Sequence, residues 1–274
     1  MSKPIERVVV ALDATADIRP AIDLAARLAA GVGTPLHAVF VEDEDLLSFA
    51  GLEVAKEIVA GAGAAPLTTE QLELQLRAAA IRARQELLVA AEIHALEFSF
   101  EVVRGSAQTA LSATSERDLV VAGALARPVA GHLRLDSGWL AAYELAPGPI
   151  LFARKSIKGA GGTVVLLRDR SMAAGRLLQA AARITEADGG TLTVICPSAL
   201  AATEVFVKWV DEQTAPSATR PQIEPASGDA AELDAHIAEL GCGLVAVCAD
   251  TAEGDPNKLR TLSERLDCDL LVVR

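Results

Sequence analysis

Arg7-Val-Val-Val-Ala-Leu-Asp13 and Thr163-Val-Val-Leu-Leu-Arg-Asp169 are near copies of one apolar stretch, each closing on aspartate. The match continues beyond them. An Ala/Leu/Arg-rich helical stretch comes next in each case, 21–30 and 175–186, and then a second apolar run, 36–41 and 191–196. Further on, Val102-Val-Arg-Gly105 is answered by Pro225-Ala-Ser-Gly228, and Pro149-Ile-Leu-Phe-Ala-Arg154 by Asp269-Leu-Leu-Val-Val-Arg274. Self-similarity at this scale reads as a duplicated domain. The boundary falls in Lys155-Ser-Ile-Lys-Gly-Ala-Gly-Gly162, whose glycines read as a short flexible joint. The expected domains are 1–155 and 160–274, packed together because the joint is too short to separate them.

The strands are nearly continuous apolar runs (8–12, 36–41, 119–122 and 150–153) rather than alternating ones. A strand buried on both faces needs that pattern, which implies a parallel sheet covered by helices on each side. The first helix carries Ile18, Ile22, Ala25 and Leu28 at helical spacing, with Pro20 in its first turn, where the missing N–H costs nothing. Thr68-Thr-Glu-Gln71 has the form of a capping box and opens a longer helix through Leu72, Leu76, Ile81 and Leu88 toward His94. The expectation is an α/β fold, two doubly wound, five-stranded parallel-sheet domains in tandem. The stretch 42–66 departs from the pattern. It reads as a surface excursion with a short helix on the rim, or as a lid or docking element.

Hydrophobic residues make up 51% of the chain and mean hydropathy is +0.32, but alanine accounts for much of this. No run approaches the roughly 18 apolar residues of a spanning helix. With strand residues beginning soon after Met1 and no leader pattern, the expected location is cytoplasmic, without membrane insertion. A formal net charge of -12, shared by both halves, argues against nucleic acid as a partner. Cys196, Cys242, Cys248 and Cys268 lack the paired spacing of a zinc site and read as reduced, buried small hydrophobes. His37, His94 and His236 are isolated, with no carboxylate or cysteine at ligand spacing, and read as structural. No nucleophile elbow, Walker loop or zinc-protease motif occurs, so neither a catalytic residue nor a metal ligand is assigned.

In a doubly wound sheet, ligands bind beyond the carboxyl ends of the strands. That directs attention to Asp13-Ala-Thr-Ala-Asp17 and to the loop from Gly123 to Ser137. The Val-Val-Ala-Leu-Asp opening, Val-Val-Arg-Gly-Ser106, Asp118-Leu-Val-Val-Ala-Gly123 and Pro147-Gly-Pro-Ile-Leu151 together resemble the universal stress protein family in tandem form. The resemblance implies the adenine nucleotide α-hydrolase-like fold. It also implies a nucleotide site beginning at Asp13 and Ala14 and drawing on Val41, Gly105, Gly123 and Ser137. Nucleotide-binding members carry three glycines and a hydroxyl after the fourth strand. Here Gly123 and Ser137 match, while Ala126 and Asp136 replace the second and third glycines, which counts against ordinary ATP binding. Arg127, His132 and Arg134 in the same loop offer side-chain donors instead, or are solvated loop residues. The second half lacks the motif, and Asp169 there reads as a turn or cap. No cofactor is required by this reading, and ATP or AMP is the nucleotide it would admit. The functional expectation is a non-enzymatic stress sensor or adaptor that self-associates or binds another cytosolic protein. A slow ATP hydrolase and a ligand-free interaction scaffold are the alternatives.

Overall fold

A computed structural model of the 274-residue chain describes residues 5–14, 18–52, 56–59, 63–106, 109, 111–123, 146–153, 161–226, 230–249, 265 and 268–274. In chain order the first half gives β1 (Arg7–Asp13), α1 (Arg19–Val32), β2 (Leu36–Asp43), α2 (Glu44–Ala50), β3 (Lys56–Val59), β4 (Gly63–Pro66), α3 (Thr69–His94), β5 (Phe98–Gly105), β6 (Asp118–Gly123) and β7 (Ile150–Ala153). The second gives β8 (Thr163–Leu166), α4 (Met172–Asp188), β9 (Leu192–Pro197), α5 (Ser198–Ala201), α6 (Glu204–Thr214), β10 (Pro221–Ala226), α7 (Ala230–Glu239), β11 (Leu244–Cys248) and β12 (Asp269–Val273).

The fold is α/β. Each half contributes five parallel strands, and the two arrays join in one ten-stranded sheet of order β10-β9-β8-β11-β12-β7-β6-β1-β2-β5. Read inward from either end, the order is the same once each strand is exchanged for its counterpart in the other half. Every neighbouring pair is parallel except the central one, where β12 meets β7 antiparallel, with Leu271 opposite Leu151. The carboxyl edges of the two halves therefore face opposite ways. Both sheet faces are apolar. One carries Val8, Val10, Leu119 and Leu271 against α1, α3 and α4, and the other carries Val120, Ile150, Val245 and Leu270.

The helices start and stop where their residues demand. Pro20 occupies the first turn of α1, and Gly33, at φ 71, ends it by donating to the carbonyls of Ala29 and Ala30. Ser171 caps α4 through Ala174 N–H, and Gly189, at φ 67, closes it. Thr68 and Gln71 form the expected capping box on α3. The buried stripe of α3 is Leu72, Leu76, Ala83 and Leu87. Ile81 and Leu88 point outward, since they fall off the face that meets the sheet. The sister helices α1 and α4 touch so closely that a Cβ on Gly31 would lie 2.1 Å from Ala187 Cβ. Arg27 reaches Asp188 at 3.5 Å beside this contact, and burial pushes the Asp188 carboxyl up against the pull of Arg27.

At the amino edge of the first half, Arg7 forks onto Asp118, with Nε donating at 3.1 Å and Nη2 at 2.7 Å, while Ser115 N–H donates to the same carboxylate at 2.8 Å. This pair ties β1 to β6.

Several expectations are corrected. Gly161 and Gly162 do not behave as a loose joint: a Cβ on Gly161 would lie 2.4 Å from the Gly243 nitrogen, and Gly162 O accepts from Gly243 N–H at 2.9 Å. Their lack of side chains serves close backbone approach; 155–160 lie outside the described residues. Two histidines are paired in space. His236 Nε2 lies 2.7 Å from Glu224, and His37 Nδ1 lies 2.6 Å from Ser99 Oγ. Cys242 is only partly buried, and its thiol is held below its ordinary value by a hydrogen bond with Cys268, which outweighs burial.

Candidate functional site

Five of the eight residues predicted for the site are described, and all five lie at the carboxyl edge of the first half. Asp13 ends β1 opposite Val41 of β2. Ala14 comes directly after it, and both are exposed. Val41 lies opposite Val103 of β5, and two residues on Gly105 lies opposite Asp43. Gly123 ends β6 opposite Ala153. Arg127, His132 and Ser137 lie outside the described residues, as do Ala126, Arg134 and Asp136.

Strand alternation puts Asp13 on the same sheet face as Val9 and Ala11. On that face Val9, Val39 and Val41 form a small buried apolar cluster against Val103. This valine floor was not predicted, because each residue reads simply as strand core until the register sets β1, β2 and β5 side by side. Gly105 is required where it stands. Its φ is 151, and a Cβ there would approach Thr109 Oγ1 to 2.7 Å. Beyond it Thr109 N–H donates to Ser106 O at 2.9 Å, and Ser106 N–H donates back to Thr109 Oγ1 at 3.4 Å.

The described rim of the cleft is acidic. Arg104 is held by Glu42 at 3.4 Å and by Glu73 of α3 at 3.3 Å, so its charge is already answered. Asp43 accepts from the N–H groups of Asp45 and Leu46 and caps α2. That helix anchors the start of the 42–66 excursion, with Leu47 and Ala50 packing on Leu72 and Leu76 of α3. Beyond it β3 and β4 pair as an antiparallel hairpin. A valine floor with a carboxylate at its end can hold a planar apolar ring and accept hydrogen bonds from hydroxyls.

The matching edge of the second half is closed by its own hydrogen bonds. Asp169 accepts from Ser171 N–H at 2.9 Å, the turn expected of it. Ala249 N–H donates to Val273 O at 2.8 Å beyond β11, and Ser198 Oγ donates to Ala226 O at 3.3 Å beyond β9. Burial of Cys196 at that edge pushes its thiol up. Among the described residues no group of three His, Cys, Asp or Glu is placed to hold a metal, and no helix is long and apolar enough to cross a membrane.

No protein-family model matches the chain, and no curated protein matches it either. Solved structures do. A universal stress protein from Archaeoglobus fulgidus DSM 4304 is similar at a TM-score of 0.65 and 13% identity, covering 96% of this chain and 95% of that one. A functionally unknown protein from Pseudomonas aeruginosa PAO1 is similar at 0.59 and 15% identity, covering 98% and 92%. The cytoplasmic domain of a prokaryotic cation chloride cotransporter is similar at 0.51 and 13% identity, covering 99% and 95%. At such identities the likeness is one of fold, and it extends over nearly the whole chain.

Proposed function

We propose that the chain is a tandem universal-stress-type protein, with repeats at 1–155 and 160–274, that works as a non-enzymatic sensor or adaptor. Its first-half cleft holds an adenine nucleotide, ATP or AMP, weakly. The observation that carries this reading is the cluster of Val9, Val39 and Val41 against Val103 beside the exposed Asp13 at the carboxyl edge of the first half; at the equivalent edge of the second half Asp169, exposed as well, accepts from Ser171 N–H. In the cleft the valines take the base and Asp13 accepts from ribose hydroxyls. The phosphates gain little, because Asp136 and Ala126 stand where the resemblance expects glycine and because Arg104 is already paired. The second half then serves as a platform for self-association or for a protein partner.

Calorimetric titration with ATP and AMP tests the cleft. The expected Kd is about 0.1–1 mM for both, about 4–5.5 kcal/mol of binding, since the adenosine part does the work. Asp13→Ala is expected to weaken AMP binding. Micromolar ATP with weak AMP, both abolished by Asp13→Ala, would show that the altered loop still grips phosphate. Binding indifferent to Asp13→Ala would remove the nucleotide from this cleft.

A further inference from the structure

Because β12 and β7 run antiparallel, the carboxyl edge of the second half passes the amino edge of the first, and a groove of about 910 Å³ opens where they meet. Its volume falls within the range of small-molecule sites, about 300–1,000 Å³. Ile5, Arg117 and Pro149 come to it from the first half, and Arg170, Arg176 and Trp209 from the second. Arg183, further along the same face of α4, and Arg274 after β12 add to the cationic lining.

These arginines are unusual in an acidic chain. Arg117 is engaged by Glu6. Arg170, Arg176 and Arg183 have neither an ion pair nor a hydrogen-bond partner among the described residues, and Arg176 Nε is hidden from solvent with nothing to bond. The repeat explains how one partner came to be missing. Arg183 is the counterpart of Arg27, which pairs with Asp188, but the position equivalent to Asp188 in the first half is Val32. Two carboxylates, Glu116 and Glu212, share the lining, and Glu212 faces Lys208 at 4.0 Å. Three unanswered guanidiniums in one concavity of a chain of net charge -12 form a local field for an anion.

We propose that this groove binds a small organic polyphosphate. Arg176 and Arg183 stand seven residues apart on one helix, about 10 Å along its axis, which a single phosphate does not bridge. A di- or triphosphate can take both guanidiniums, with Arg170 at one end, in charge-assisted hydrogen bonds. Trp209, half-buried with its ring 5.8 Å from that of Phe206, offers an aromatic surface to the organic part. Gln179 and Gln213, joined at 2.8 Å across α4 and α6, hold the wall that carries it. The site is separate from the Asp13 cleft and does not depend on it.

Inorganic tripolyphosphate and ATP are the probes, titrated calorimetrically into the full chain. Saturable tripolyphosphate binding is expected, with ATP displacing it and changing tryptophan emission. Arg170→Gln, at an exposed position, and Arg183→Gln are each expected to weaken tripolyphosphate binding by about tenfold. Arg77→Gln, which removes the same charge from an exposed site on α3, leaves it unchanged. Three results would overturn the proposal: no saturable binding of tripolyphosphate, failure of ATP to displace it, or a folded Arg170→Gln/Arg183→Gln double variant that binds as wild type.

Discussion

Asp118→Ala removes the carboxylate on which the amino edge of the first half converges. Asp118 is 4% exposed and receives two hydrogen bonds from Arg7 and one from Ser115 N–H. Deleting one partner of a buried pair costs about 3–5 kcal/mol, because the other charge is left without its answer. Arg7 is 35% exposed, so water recovers part of its hydrogen bonding and the expected loss falls to about 2–3 kcal/mol. With a urea m-value of about 3 kcal/mol/M, the unfolding midpoint should drop by about 1 M at pH 7. Asp118→Asn keeps an acceptor for Ser115 N–H and should lose about half as much. Burial alone would raise the Asp118 carboxyl, but the Arg7 side chain and the Ser115 N–H hold it below its ordinary 3.8. A depressed carboxylate contributes stability above its unfolded value and loses it as pH falls through the folded one. The wild type should therefore shed this increment below about pH 4, and Asp118→Asn should not. Urea midpoints equal to wild type for both variants, or parallel acid profiles for wild type and Asp118→Asn, would refute the reasoning.

Gly31→Leu drives a side chain into Ala187 where α1 meets α4. The expected loss is about 1–3 kcal/mol, read as a lower midpoint in the same urea series, and a wild-type midpoint would mean the helices stand too far apart to touch there. At the seam, Leu151→Ala and Leu271→Ala should each cost about 2–5 kcal/mol, and because the residues are register partners the double-mutant cycle should show coupling of at least about 0.5 kcal/mol. Strict additivity would deny the antiparallel pairing. Burial, reinforced by Arg7, pushes the His37 imidazole down, while Glu101, exposed at 3.8 Å, and Asp118 pull only weakly the other way. Its proton NMR titration should have a midpoint below 6.5, with stability falling as pH drops through the unfolded value; a midpoint at or above 6.5 would reverse the assignment.

The features legible in the sequence were those fixed by local chemistry. The β1 run Val8–Val9–Val10 has no polar face, so it had to be covered on both sides. Thr68 and Gln71 sit at the spacing a capping box needs, and Pro20 sits where the first turn of α1 tolerates it. Registers and edge polarity were not legible, because they depend on which strands meet. Val9, Val41 and Val103 become a cleft floor only once β1, β2 and β5 lie side by side. His236 is remote from Glu224 in the chain and touches it in space because α7 returns over β10. The pairing of Arg104 with Glu42 and Glu73 was hidden in the same way.

The antiparallel seam is the feature that gives rise to both sites. Had β12 joined β7 in parallel, the carboxyl edges of the two halves would have lain side by side, and any groove between them would have carried the acidic loops of both. Inversion instead sets the second half's Arg170 beside the first half's Arg117, Ile5 and Pro149, residues from an edge that holds no ligand in a single doubly wound unit. It also leaves the Asp13 cleft facing the opposite way, so a ligand in one site does not obstruct the other. At the second half's own carboxyl edge Asp169 accepts from Ser171 N–H, and this contact leaves the groove untouched. Two unlike binding surfaces on a duplicated fold thus need no new element, only one reversed strand pairing and the loss of one acidic partner for Arg183.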